Sequence, residues 1–276
     1  MKNFKKLLAV LLAGLMILSL TACGGKDDNV EKRGVLSAEG MVSGSFSSKH
    51  DEHKTNEKEN TARENISYSN LSTALMDLES GKIQSLITVE CSADYIAARN
   101  EKVTVTKRDN RTQNFSMMTM ESNKEIYDIL NNAIKDMKAD GTLDKLIENE
   151  LMAYINSDPT PKDLPHFDGA RTIKVGVTGD LPPMDYVAAN GKAAGFNIAL
   201  LTEIANRAQV NFELVQIEAG ARPMALSSGK VDAVFWTKSI TCTTCNETIT
   251  EKVEGSLVTE MYFSSKNAYV TLKSEK

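Results

Sequence analysis

The chain has 276 residues, with 32 basic and 37 acidic side chains and a net charge of −5. A mildly acidic chain without a basic stripe lacks the electrostatic footprint of a nucleic-acid-binding protein. Its 41% hydrophobic and 25% charged residues are ordinary for a globular protein, and its length suits one two-lobed domain or two small ones.

Lys2, Lys5 and Lys6 precede an almost wholly apolar run from Leu7 to Leu20, and Leu20-Thr21-Ala22-Cys23 is followed by Gly24 and Gly25. This is a secretory signal layout. A run of roughly 14 apolar residues is short for a bilayer span, which needs about 20. The cysteine at the cut resembles the lipobox of bacterial lipoproteins. That resemblance implies cleavage after residue 22 and lipid on Cys23, with several acyl chains holding the protein far better than one. Residues 1–22 are expected to be the signal and 23–65 a polar, lipid-anchored tether. Losing the signal removes three lysines and no acid, leaving 29 basic against 37 acidic residues and a charge of −8. Val35-Leu36 and Met41-Val42 are possible fragments of a strand or short helix. His50 to Glu64 is charged and aperiodic, so His50 and His53 read as solvated rather than metal-binding.

Order is expected from Ile66, and residues 66–156 form the first ordered half. Leu71, Ala74, Leu75 and Leu78 recur at helical spacing, with Gly81 as the stop. Ile83 to Val89 reads as a buried strand, Ala93 to Arg99 as a short helix, and Val103 with Val105 as another strand. Polar Lys107 to Asn114 separates these from a short strand at Phe115 to Met118. Ser122 and Glu125 have the spacing of a capping box. The helix behind it places Ile126, Ile129, Leu130, Ala133, Ile134 and Met137 on one face and ends at Asp140-Gly141. A second helix carries Leu143, Leu146, Ile147 and Leu151. Residues 157–171, with Asp158-Pro159-Thr160-Pro161 and Leu164-Pro165, read as a stiff linker.

Residues 172–276 alternate strand and helix. Strands are expected at Ile173 to Val177, Phe212 to Val215 and Val231 to Trp236, and helices at Gly195 to Ala208 and Ala221 to Ser228. The alternation implies a parallel sheet. Ligands of open parallel sheets sit beyond the carboxyl ends of the strands. Two such ends carry binding side chains: Thr178-Gly179-Asp180 leading to Met184-Asp185-Tyr186, and Trp236-Thr237-Lys238-Ser239.

Ile173-Lys174-Val175-Gly176-Val177, Leu181-Pro182-Pro183-Met184-Asp185-Tyr186, Gly195-Phe196-Asn197 and Gly229-Lys230-Val231-Asp232-Ala233-Val234 follow one another in fixed order. With Glu260-Met261-Tyr262-Phe263 they resemble the first lobe of the bacterial extracellular solute-binding proteins of family 3. Gly81-Lys82-Ile83 and Ala93-Asp94-Tyr95 are similar to the close of that family's second lobe. Asn132-Ala133-Ile134 and Asp140-Gly141-Thr142-Leu143 are similar to its terminal helices. The order is inverted, so the halves form either one permuted unit or a shortened tandem.

The resemblance implies an α/β fold of the periplasmic-binding-protein type II, with two lobes of mainly parallel sheet flanked by helices. It implies a small-molecule solute, a transporter permease as partner, a location on the outer face of the cell membrane, and no cofactor. Asp180, Tyr186, Trp236, Thr237 and Ser239 are the expected cleft residues, and Glu90 is the candidate for an amino group. The family's carboxylate-binding arginine has no counterpart, because Thr237 to Glu247 contains Lys238 as its one cation. A second expectation is therefore a protein-interacting or sensory lipoprotein that has lost its solute. Cys242 and Cys245 form a C-x-x-C, read as a loop disulfide or a redox pair, whereas Cys91 reads as a buried apolar residue. No nucleophile elbow, phosphate loop or metal-binding histidine motif is present, so an enzyme is not expected.

Overall fold

A computed structural model describes residues 30–36, 62–158, 160–241, 248–250 and 252–274. Cys23, His50, His53, Cys242 and Cys245 lie outside these residues. The first half contributes β1 (Val30–Leu36), β2 (Ala62–Tyr68), α1 (Leu71–Glu79), β3 (Ser85–Val89), α2 (Glu90–Arg99), β4 (Val103–Met120), α3 (Lys124–Ala139) and α4 (Thr142–Glu150). The second contributes β5 (Thr172–Val177), β6 (Asp180–Leu181), β7 (Asp185–Val187), β8 (Ala193–Ala194), α5 (Phe196–Ala208), β9 (Asn211–Gln216), α6 (Arg222–Ser227), β10 (Ala233–Thr241), β11 (Thr248–Thr250) and β12 (Ser256–Leu272).

The large sheet runs β2-β1-β3-β12-β4-β10-β5-β9. Its outer strands pair in parallel, β2 with β1 and β1 with β3 on one side, β10 with β5 and β5 with β9 on the other. Between them β12 and β4 run antiparallel to each other. Each is long enough to belong to two lobes. The end of β12 meets β3 on one side and the start of β4 on the other, while the end of β4 meets β10. The fold is thus α/β with two lobes, joined by a pair of crossing strands.

Three sequence readings differ from the structure. The segment 23–65, expected to be a polar tether, contributes β1, which pairs with β2 and β3 and buries Leu36. The strands expected at Val103 and Phe115 are one strand of 18 residues. Polar Lys107 to Asn114 stays extended because β12 supplies ladder partners along it, and the segment crosses between lobes where solvent reaches it. The ladder is irregular there. Arg108 faces Ala268 and Thr112 faces Lys266, so residues 109–111 stand opposite Asn267 alone, a bulge at the crossing. The capping box at Ser122 is also absent. A short 3₁₀ turn, Glu121–Asn123, precedes α3, and no side chain caps it. Glu125 pairs instead with Arg171, a full positive charge that outcompetes a backbone N–H.

One aromatic cluster unites the two halves of the chain. Phe115 of β4 meets the Trp236 ring edge-on at 5.4 Å and stacks on Phe263 at 6.1 Å. Tyr262 packs edge-on against Phe235 at 5.6 Å and Trp236 at 6.0 Å, and Phe196 of α5 closes the group. Trp236 has φ +66°, where β10 shifts register against β4. A bulky residue in that region costs about 1–3 kcal/mol and persists only where packing over-determines it. The Tyr262 hydroxyl helps to hold it by accepting the Trp236 N–H at 3.1 Å.

The helices of the first half lie on the second. Asn131 of α3 accepts the Glu260 N–H at 2.9 Å, and Lys138 pairs with Glu260 at 3.0 Å. Hydrogen bonds from Thr142, side chain and backbone, hold the Asp140 carboxyl down at about 2, and Arg207 of α5 adds to this from 2.8 Å. The connecting segment is docked too. Pro161 bridges Ala194, and the Asn211 amide accepts from Phe167 and donates to its carbonyl.

Two outcomes are expected. Tyr262→Phe leaves the buried Trp236 N–H without its acceptor and lowers the unfolding free energy by about 1–3 kcal/mol, read by urea denaturation. A protease site inserted at exposed Gly169 lets the chain be cut between its halves; the fragments co-elute on size exclusion, because β4 lies between β10 and β12. Separation of native fragments would contradict the shared sheet.

Candidate functional site

Three parallel strands end on one cavity of about 420 Å³. Ser69 and Asn70 follow β2 in one lobe, whereas Thr178 and Asp180 follow β5 and Gln216 to Ala219 follow β9 in the other. Both lobes thus present the carboxyl ends of parallel strands, the place where open sheets take ligands. Asn70 also caps α1, its side-chain oxygen accepting the Thr73 N–H at 2.8 Å.

The wall at Asp180 is built by a tight turn. Gly179 has φ +74°, and β6 and β7 pair so that Asp180 faces Tyr186. Asp185 is buried behind, where its carboxylate accepts from the Thr178 N–H at 2.9 Å and the Thr178 hydroxyl at 3.2 Å. Gly195, at φ +97°, lets α5 begin against this loop; a Cβ there would lie 2.5 Å from the Pro183 carbonyl oxygen.

Burial pushes the Asp185 carboxyl above the usual carboxylate range, with the neighbouring Asp180 charge adding to the effect. Asp180 is raised for the same first reason, loss of water. Its Oδ1 is buried and has no hydrogen-bond partner among the described residues. Glu218 adds a second, exposed carboxylate to the lining. Among the described residues, the cavity wall holds no lysine or arginine. Arg222 stands behind it, fully buried, with Nε donating to the Ala219 carbonyl at 3.0 Å and a terminal nitrogen donating to Phe235 at 2.8 Å.

Of the expected cleft residues, Asp180 lines the cavity. Trp236 is 1% exposed and locked edge-on in the aromatic cluster, so it offers no stacking face, and that expectation is corrected. Thr237 is equally buried beside it. Tyr186 and Ser239 are half-buried and stand away from the cavity wall. Glu90 is corrected as an amino-group acceptor: Arg108 engages it at 2.9 Å while also binding Asp94 at 2.7 Å. His166 is exposed, and Cys91 is buried. Ser69, Asn70, Gln216 and Glu218 were missed by sequence reasoning. Asn70 carried a signal, since a capping residue directly after a strand marks a strand-to-helix turn.

Residues 173–272 match the family model of the bacterial extracellular solute-binding proteins, family 3, over just over a third of the chain. No curated protein sequence matches the chain. Among solved structures, a zinc-bound ligand-binding component of an ABC-type import system from Staphylococcus aureus has a TM-score of 0.41 at 11% identity, covering 88% of this chain and 66% of that one. AgaA from A. tumefaciens R10, in complex with agropinic acid, scores 0.42 at 11% identity, with 76% and 55% covered. The GluR0 ligand-binding core with L-glutamate scores 0.38 at 11% identity, with 89% and 86% covered. The chain spans 66% of the first of these and 40% of NikA from S. aureus. Among the described residues no helix is long and apolar enough to cross a membrane.

The raised carboxyls set a pH dependence. The folded state holds the Asp185 proton more tightly than the unfolded state does. That stabilisation is fully present below the unfolded value of about 3.9 and is lost as pH rises through the raised folded value. The stability of the protein relative to Asp185→Asn should therefore fall as pH rises from about 4 toward neutrality. A pH series of denaturant melts checks this; a difference that grows in favour of Asp185 with rising pH would contradict it.

Proposed function

We propose that this chain, whose residues 173–272 match the family 3 solute-binding proteins, is the extracellular solute-binding component of a membrane transporter of the ABC type. It is held to the outer face of the membrane by lipid on Cys23. It takes a small polar solute, an amino acid or related compound, and presents it to the permease. The observation that carries this reading is the cavity between lobes, walled on both sides by the carboxyl ends of parallel strands. The bulge where β4 and β12 cross supplies a point about which the lobes turn to enclose a solute. Thr178, Asp180 and Gln216 offer hydrogen bonds from one lobe, and Ser69 and Asn70 from the other.

A thermal-shift screen of amino acids, amines, short peptides and organic acids at millimolar concentration tests it. A solute at 100 times its Kd stabilises the protein by about 2.7 kcal/mol, which raises Tm by several degrees. No shift with any compound would count against solute binding. It would favour the second reading, a protein-interacting lipoprotein, to which the absence of arginine between Thr237 and Glu247 already gives support. The anchor has its own test: Cys23→Ser should move the protein from the membrane fraction to the soluble fraction in a bacterial host.

A further inference from the structure

The lining of the cavity is unbalanced in charge. Asp180 and Glu218 are both on it, and among the described residues no lysine or arginine is. A buried carboxylate oxygen without a donor is costly, and here that atom is Asp180 Oδ1. Asp185 adds a third carboxyl just behind, already supplied with donors by Thr178. Two features pull the other way, and both are weaker at contact distance. The N-terminus of α1 carries roughly half a positive charge at most. One of its N–H groups is taken by Asn70. Arg222 is outside the lining, and its guanidinium is turned onto the Ala219 and Phe235 carbonyls. A solute carboxylate entering this space would meet acids at the wall and no guanidinium fork to receive it.

We infer that the solute is an organic cation, an amine or polyamine without a carboxylate, whose ammonium group donates to Asp180. The inference rests on the solute-binding reading above and narrows its ligand class. The ammonium supplies the donors that Asp180 Oδ1 lacks, and Glu218, at the exposed rim, receives a second ammonium on a longer chain. Thr178 and Gln216 offer oxygens to the remaining donors. Such a ligand needs no arginine clamp, which agrees with the sequence after Trp236, where Thr237 to Glu247 contains no arginine.

Isothermal titration calorimetry of the full chain in detergent tests this with four probes: 1,4-diaminobutane, its uncharged counterpart 1,4-butanediol, L-lysine and L-glutamate. The diamine should bind at least tenfold more tightly than the diol and than glutamate, and added salt should weaken it. Asp180→Asn should weaken diamine binding by about 10–100-fold, the loss of one hydrogen bond to a charged group. Circular dichroism of that variant shows whether it is folded, and Glu218→Gln should give a smaller loss from an exposed position. If glutamate or the diol binds as tightly as the diamine, or Asp180→Asn leaves diamine affinity unchanged, the cation assignment falls while solute binding stands. If none of the four binds but a neutral or anionic compound from the thermal screen does, the assignment again falls alone. If nothing binds in either experiment, both readings fall together.

Discussion

The structure depends on two strands that no single lobe owns. β4 and β12 lie side by side through the centre of the sheet, and each gives one end to each lobe. Every outer strand is attached to this pair directly or through one or two neighbours. A sheet fixes which strands are adjacent and in what direction; it does not fix which is made first. The order in which the two halves follow one another in the sequence is therefore compatible with one composite unit. The terminal helices α3 and α4 still reach β12 and α5, and the docked segment around Pro161 and Phe167 carries the chain between the halves. Permutation of this kind needs chain ends at the surface and a connection that spans them.

Much of this was legible in the sequence where burial is one-sided or complete. The helical spacing of Ile126, Leu130, Ile134 and Met137 is the buried face of α3, and Ile173 with Val175 is the buried side of β5. The helix ends at Gly81 and Gly141 were legible too, because both occupy positive φ. What failed was anything decided by a distant partner. The middle of β4 is polar, so periodicity split one strand into two. Glu125 had the spacing for a local cap, but Arg171, far away in sequence, holds it. Trp236 looked like a binding residue because it ends a strand, yet its own backbone turns over into the left-handed region and drives the ring into the core.

The site shows the same division. Asp180 could be found, since the carboxyl end of a predicted parallel strand is a place physics already favours. Ser69 and Asn70 could not be joined to it without the fold, because they come from the other lobe and more than 100 residues away in sequence. The exclusion of Glu90 also needed structure: Arg108 meets it from the crossing strand, and a guanidinium bound by two carboxylates is not easily displaced. The sequence did show one negative fact that the structure gives meaning to. A chain with no arginine after Trp236 also has, among the described residues, a cavity wall with no lysine or arginine.

Opening and closing must also respect the contacts that already join the lobes. One is the bulge at residues 109–111 opposite Asn267. The other is a polar tie between α2 and the segment following α4. Arg99 donates to the Ile155 carbonyl at 2.6 Å and to Asp158 at 3.1 Å, and the Tyr95 hydroxyl donates to Asp158 at 2.9 Å. The guanidinium also lies 3.5 Å over the Tyr95 ring. A rotation that preserves both contacts has its axis near the line between them, since points on an axis do not separate. Backbone pairing along β4 and β12 resists shear, while a bulge tolerates twist, so rotation is the softer motion of the two. The cavity is bounded by strand ends of both lobes, so a rotation of that kind changes the distance from Asn70 to Asp180 without breaking the sheet. In this arrangement the same two strands that hold the lobes together leave rotation as the softer motion between them.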